Sequence, residues 1–326
     1  MLARVRFLAP ILVSLLLVGG AAPLALARSR GAEFLIPTAN SGPEGITSGP
    51  GGSLWFIEVG GNNIGRVTTQ GAFKEFPIPT PGSHPAGIAA GPDGNLWFTE
   101  FLTDKIGRVT PSGSFTEFPV PTPDSHPDGI TSGPDGNLWF TEYIGQFRSQ
   151  YIGRVTPSGS FTEFPLPTPN SHPYGITSGP DGNLWFAESG SGKIGRITTD
   201  GALTEYPIPS GFPVAQGIAS GPDGNLWFTE SNGNRIGRIT TAGVITEFDL
   251  PTAYSYPIGI ASGADGNMWF TEQASNRIGK INMAGIITEL AVPTASSGPT
   301  GIAAGPDGNL WFTERYGNKI GAIRPA

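Results

Sequence analysis

The stretch Gly91-Pro-Asp-Gly-Asn-Leu-Trp-Phe-Thr-Glu100 decides the fold, because close copies of it recur along the whole chain. The tryptophans Trp55, Trp97, Trp139, Trp185, Trp227, Trp269 and Trp311 stand 42, 42, 46, 42, 42 and 42 residues apart. A fixed period of ~40 residues marks a repeat architecture, one supersecondary unit per Trp. The four extra residues of the third interval fall in one loop, Tyr143 to Tyr151.

Around the quoted stretch lie Pro85-Ala-Gly-Ile-Ala-Ala-Gly91, Lys105-Ile-Gly-Arg-Val-Thr110 and Ser114-Phe-Thr-Glu-Phe-Pro-Val120, so each unit supplies four short strands. Pro-Asp-Gly and Pro-Ser-Gly are turns: Pro presets a negative φ and Gly accepts a positive one. In the second strand Leu96 and Phe98 point one way and Trp97 and Thr99 the other, so both faces carry bulk and both need cover. Radially stacked sheets supply that cover. The expected fold is all-β, a seven-bladed β-propeller of four-stranded antiparallel blades. The last unit stops at its third strand, Lys319-Ile-Gly-Ala-Ile-Arg324, while Glu33-Phe-Leu-Ile-Pro-Thr38 matches a fourth strand. The N-terminal strand is therefore expected to pair with the last blade and close the ring.

Basic Met1-Leu-Ala-Arg-Val-Arg6, the apolar run from Phe7 to Gly20 and Ala25-Leu-Ala27 read as a cleavable signal peptide over residues 1–27. The propeller then spans 28–326, and a secreted or periplasmic location is expected. The chain has no cysteine, so packing and hydrogen bonds must hold it together. Its net charge of −7, with no Lys or Arg run, argues against nucleic-acid and membrane partners. A small-molecule or peptide ligand at the central face of a monomer is the expected partner.

Across the units the turns repeat and the residue two before the inner-strand Ile varies: Glu44, Ala86, Asp128, Tyr174, Gln216, Ile258 and Thr300. These positions lie at the channel mouth, and Glu44, Asp128, Tyr174, Gln216 and Thr300 are the candidate ligand contacts. Fourteen residues later every unit has a glutamate: Glu58, Glu100, Glu142, Glu188, Glu230, Glu272 and Glu314. The two positions flank the hairpin turn symmetrically and are expected to be cross-strand neighbours. Arg66, Arg108, Arg154, Arg196 and Arg238 of the third strands are expected to pair with these glutamates. Lys280 and Ala322 break that series, which singles out Glu314. Glu44 opposite Glu58 and Asp128 opposite Glu142 would be like charges, which a Mg²⁺ or Ca²⁺ ion would reconcile. The histidines His84, His126 and His172 precede the inner strands of three successive blades in Ser-His-Pro segments.

The units Gly-Pro-Asp-Gly-Asn-Leu-Trp-Phe-Thr-Glu, Ile-Gly-Arg-Ile-Thr and Thr-Glu-Phe-Pro-Leu-Pro-Thr resemble the streptogramin B (virginiamycin B) lyases over residues 33–326. The resemblance implies a seven-bladed propeller that opens a cyclic depsipeptide antibiotic, a resistance activity, by elimination across its ester with Mg²⁺ and a histidine base. It places the metal on the Glu of the Trp-Phe-Thr-Glu strand, Glu272 or Glu314 here. The family's histidine stands fourteen residues earlier, where this sequence has Ile258 and Thr300. Three readings follow: a lyase-like propeller that binds a ligand, an active C–O lyase with Tyr174, His84, His126 or His172 as base, or a structural or protein-binding wheel.

Overall fold

The computed structural model describes residues 31–143, 150–211 and 213–325; the signal-peptide reading of 1–27 and most of the Tyr143–Tyr151 loop lie outside them. Seven four-stranded antiparallel sheets form the ring of an all-β propeller. Blade 1, the blade of Trp55, runs through Pro43–Gly49, Ser53–Glu58, Asn63–Thr68 and Phe73–Pro77. The other blades follow in chain order, so that Trp311 belongs to blade 7. The first strands of neighbouring blades lie side by side around the axis.

The core lies between blades, because the second strand is buried on both faces. Leu96, Trp97 and Phe98 are fully buried, as are their counterparts in the other blades. Trp97 Nε1 donates to Asp93 Oδ1 of the Pro-Asp-Gly-Asn turn at 3.0 Å, which satisfies the indole where it is buried. Blade 1 has Gly51 and Gly52 in that turn, and Trp55 Nε1 has no partner among the described residues.

The expected Glu–Arg pairing is overturned. Trp97 and Glu100 are three apart in one strand and so point to opposite faces. Arg108 lies opposite Trp97 in the ladder. Its guanidinium stacks 5.5 Å from the Trp97 ring and comes within 3.8 Å of Asp93 Oδ2. Lys280 does the same over Trp269 at 5.4 Å. The cations belong to the tryptophan face, and the loss of Arg at Ala322 takes nothing from Glu314.

A different glutamate joins the blades. Thr80, which follows blade 1, donates through its backbone N–H and hydroxyl to Glu117 of blade 2 at 3.1 and 2.6 Å. Blade 7 closes by the same device with the N-terminal strand Gly31–Leu35 as its outermost member, paired to Lys319–Ile323. Glu33 accepts from Thr294 N–H at 2.9 Å, Thr294 Oγ1 at 2.7 Å and Lys319 Nζ at 2.9 Å. Phe34 stacks on Trp311 at 5.6 Å.

Candidate functional site

Each inner strand carries a bulge that aims one side chain into the channel. In blade 3, Pro127 faces Glu142 and Ile130 faces Phe140, with a register shift between the two pairs. Gly129, inside the bulge, lets the neighbouring blade approach: a Cβ there would stand 2.3 Å from the Tyr174 carbonyl oxygen. The Thr of the Trp-Phe-Thr-Glu strand bridges the two blades. Thr141 Oγ1 accepts from Gly129 N–H at 2.9 Å and donates to the Tyr174 carbonyl at 2.8 Å. Equivalent bonds from Thr99, Thr229, Thr271 and Thr313 hold the carbonyls of Asp128, Ile258, Thr300 and Glu44.

These constraints assemble a cavity of about 160 Å³ where the inner strands converge. Glu44, Ala86, Asp128, Tyr174, Ile258 and Thr300 line it together with inner-strand glycines. Gln216 does not line it. Blade 4 has Ala187 in place of the bridging Thr, so the Gln216 carbonyl lacks that tie, and its side chain turns to Tyr256, with Nε2 3.5 Å from the hydroxyl.

The bulge also corrects the expected carboxylate pairs. Pro43, not Glu44, faces Glu58, and Pro127, not Asp128, faces Glu142. Glu44 and Asp128 both line the cavity instead, and the Glu44 charge acts on Asp128. Burial, and then the Glu44 charge, pushes the Asp128 carboxyl up to about 7. Burial also raises Glu44, but Arg315 opposes it, with Nη1 2.8 Å from Glu44 Oε1. The negative charge of Asp128, burial and then Glu44 raise the Tyr174 hydroxyl far above neutrality, so it serves as a hydrogen-bond donor. Thr300 Oγ1 donates to the Gly298 carbonyl at 3.1 Å. Arg315 is the site residue that sequence reasoning missed. It sits in a variable loop, and nothing local to it points to Glu44.

The second-strand glutamates are not among the lining residues. Glu58, Glu142, Glu272 and Glu314 are fully buried, like the other three of the ring. Burial lifts Glu58, Glu100, Glu188 and Glu314 to about 7, Glu230 to about 8 and Glu142 to about 9. Oε1 of each of the seven has no hydrogen-bond partner among the described residues. A feature shared by seven blades belongs to the blade rather than to one site. Among the described residues no group of three or more His, Cys, Asp or Glu gathers in metal-binding geometry.

The histidines do not continue the inner strands. His84, His126 and His172 have φ of 52°, 43° and 46°, so the chain turns there rather than staying extended. His126 stacks on Phe101 at 4.9 Å, with Nδ1 2.9 Å from the Phe101 carbonyl, and His172 packs on Tyr143 at 4.6 Å. Neither lines the cavity. His84 does not line it either.

Fold and site together define a seven-bladed propeller with a carboxylate-bearing cavity on its axis. The family model described as the virginiamycin B lyase family matches residues 24–213 and 212–326. The chain belongs to that family. A streptogramin B lyase structure is 42% identical, with a TM-score of 0.86 over 90% of this chain and 97% of that one. Virginiamycin B lyase from Staphylococcus aureus is 40% identical, with a TM-score of 0.86 over 91% of this chain and 99% of that one. A catalytically inactive histidine-to-alanine variant of virginiamycin B lyase from Staphylococcus aureus, with quinupristin, is 40% identical, with a TM-score of 0.85 over 91% and 99% of the two chains.

Proposed function

We propose that this propeller binds a small-molecule or peptide ligand in the axial cavity through Glu44, Asp128, Tyr174 and Thr300, without the family's histidine-based elimination. The observation that carries this reading is the cavity wall itself. It presents two carboxylates, a phenol and a hydroxyl, and no imidazole among its lining residues. Ile258 and Thr300 occupy the positions from which the family resemblance would aim a histidine. Neither side chain can take up a proton at neutral pH. The inactivity of the histidine-to-alanine variant of the Staphylococcus aureus enzyme supports the weight given to that residue type.

A divalent cation fits the cavity chemically. Burial and the Glu44 charge hold the Asp128 pKa up, burial raises Glu44, and only Glu44 has a cationic partner. Two carboxylates with few further acids suit Mg²⁺, which retains waters, better than Ca²⁺, which takes about 6–8 oxygen ligands. Asp128, with Glu44, would hold the ion, and the ion would polarise a ligand carbonyl.

Membership of the virginiamycin B lyase family favours a second reading, an active C–O lyase with His84 as base. An imidazole base would remove a proton from the carbon next to the carbonyl, that C–H pair would form a double bond to the adjacent carbon, and the bond from that carbon to the ester oxygen would break, its pair leaving with the carboxylate. Elimination leaves the mass of a cyclic depsipeptide unchanged. The test is therefore chromatographic separation with fragmentation mass spectrometry after incubation with quinupristin and Mg²⁺. An intact ring, together with retention of quinupristin in equilibrium dialysis, supports binding alone; a linear isomer lost in His84→Ala supports the lyase.

A further inference from the structure

A second cavity of about 330 Å³ opens between blades 5 and 6. Ser231, Asn232, Asn234, Tyr254, Tyr256 and two alanines line it. Its two tyrosines stand in an unfavourable backbone conformation. Among the described residues, the segment before the inner strand has two residues with positive φ in six blades: Asn40 and Gly42, Gly82 and His84, Asp124 and His126, Asn170 and His172, Tyr254 and Tyr256, and Ser296 and Gly298. Glycine and asparagine tolerate that region, whereas bulky residues rarely enter it. Blade 6 places Tyr254 there at φ 57° and Tyr256 at φ 53°. Burial does not compensate at the first of them, because Tyr254 is 90% exposed.

The lining defines the ligand by chemistry. It contains no Asp, Glu, Lys or Arg, so nothing recognises a charged group. It contains no branched aliphatic side chain, so an alkyl ligand has no wall to pack on. Asn234 is committed to its own loop, donating to the Thr252 carbonyl at 2.9 Å and accepting from Ser255 N–H at 2.7 Å. Ser231 Oγ likewise donates to the Pro257 carbonyl at 2.7 Å. An exposed phenol ring and the exposed Asn232 amide remain, and the Tyr256 hydroxyl, which accepts from Gln216 Nε2, can still donate. An open aromatic face beside neutral donors and acceptors matches a molecule with one apolar face and a rim of hydroxyls, which is a sugar ring.

We infer that the blade 5–6 cavity is a saccharide-binding subsite, with Tyr254 as the stacking platform and Asn232 and Tyr256 as hydrogen-bonding partners to ring hydroxyls. It stands independently of what the axial cavity binds.

The test uses the full propeller and three neutral probes, cellotriose, N,N′,N″-triacetylchitotriose and maltotriose, followed by saturation-transfer NMR and calorimetry. At least one is expected to bind. Tyr254→Asn substitutes a residue that the fold already accepts at Asn40 and Asn170, so its melting temperature should be unchanged or higher. Its affinity for that probe should fall about tenfold, the scale of a lost aromatic stack. Asn232→Ala, at an exposed position, should weaken the same probe, and Tyr174→Phe in the axial cavity should leave it unchanged. Failure of all three probes to bind, or undiminished binding in both Tyr254→Asn and Asn232→Ala, overturns the inference.

Discussion

Arg315 Nη1 and Glu44 Oε1 stand 2.8 Å apart, joining the last blade's loop to the first blade's inner strand at the axial cavity. The guanidinium occupies the charge that Glu44 would otherwise offer to a cation. Arg315→Ala is expected to tighten Mg²⁺ binding roughly two- to fivefold in calorimetry, the scale of a partly exposed ion pair. Unchanged or weaker Mg²⁺ binding would separate Glu44 from the cation site.

Asp128 gives the cavity its pH dependence. With its carboxyl at about 7, protons compete with a cation below neutrality. Mg²⁺ affinity should therefore rise from about pH 6 to pH 8 and then level off, and Asp128→Asn should abolish both the binding and its pH dependence. A flat profile in the parent protein would remove Asp128 as a ligand.

The buried glutamate ring makes stability depend on pH in the opposite sense to ordinary acid denaturation. Folded-state values of about 7 to 9 exceed the unfolded carboxylate value, so the folded chain holds more protons in that window. Stability is then full below the unfolded value of about 4.5 and declines as pH rises through 7 to 9. The melting temperature should be lower at pH 8.5 than at pH 5.5. Glu142→Gln, at the most strongly raised member, should recover about 1–3 °C at pH 8.5. An upward slope across that window would show that the ring is ionised and satisfied.

Ring closure is testable at Glu33, whose side chain ties the N-terminal strand to both Thr294 and Lys319. Glu33→Gln replaces a charge-assisted set with a weaker neutral one. It should cost about 1–3 kcal/mol in urea unfolding, and deletion of residues 31–40 should cost more. A deletion variant that unfolds like the parent would mean that the strand is dispensable.

The blades and their closure were legible because they rest on local signals: a Trp every 42 residues, turns with Pro and Gly, and a fourth-strand pattern displaced to residues 33–38. The variable position of the inner strand was legible too, since Glu44, Asp128, Tyr174, Ile258 and Thr300 all line the cavity. The carboxylate pairing was not. Counting symmetrically about the hairpin assumes an unbroken ladder, and the bulge between Pro127 and Ile130 breaks it. The Glu–Arg pairing failed for a reason the sequence does contain, the odd separation of Trp97 and Glu100 along one strand. Gln216 turned to Tyr256 of the next blade, a contact that appears only once neighbouring blades are placed. Arg315 meets Glu44 through ring closure, which no local pattern reports.

The central claim is that this family member holds its ligand without opening it. The direct measurement incubates the protein with quinupristin and Mg²⁺ at pH 8 and follows both retention of the antibiotic and the state of its ring. Retention with an intact ring, lost in Asp128→Asn with Tyr174→Phe, is the predicted result. Accumulation of a linear isomer of unchanged mass would contradict it and assign the chain to the active lyases.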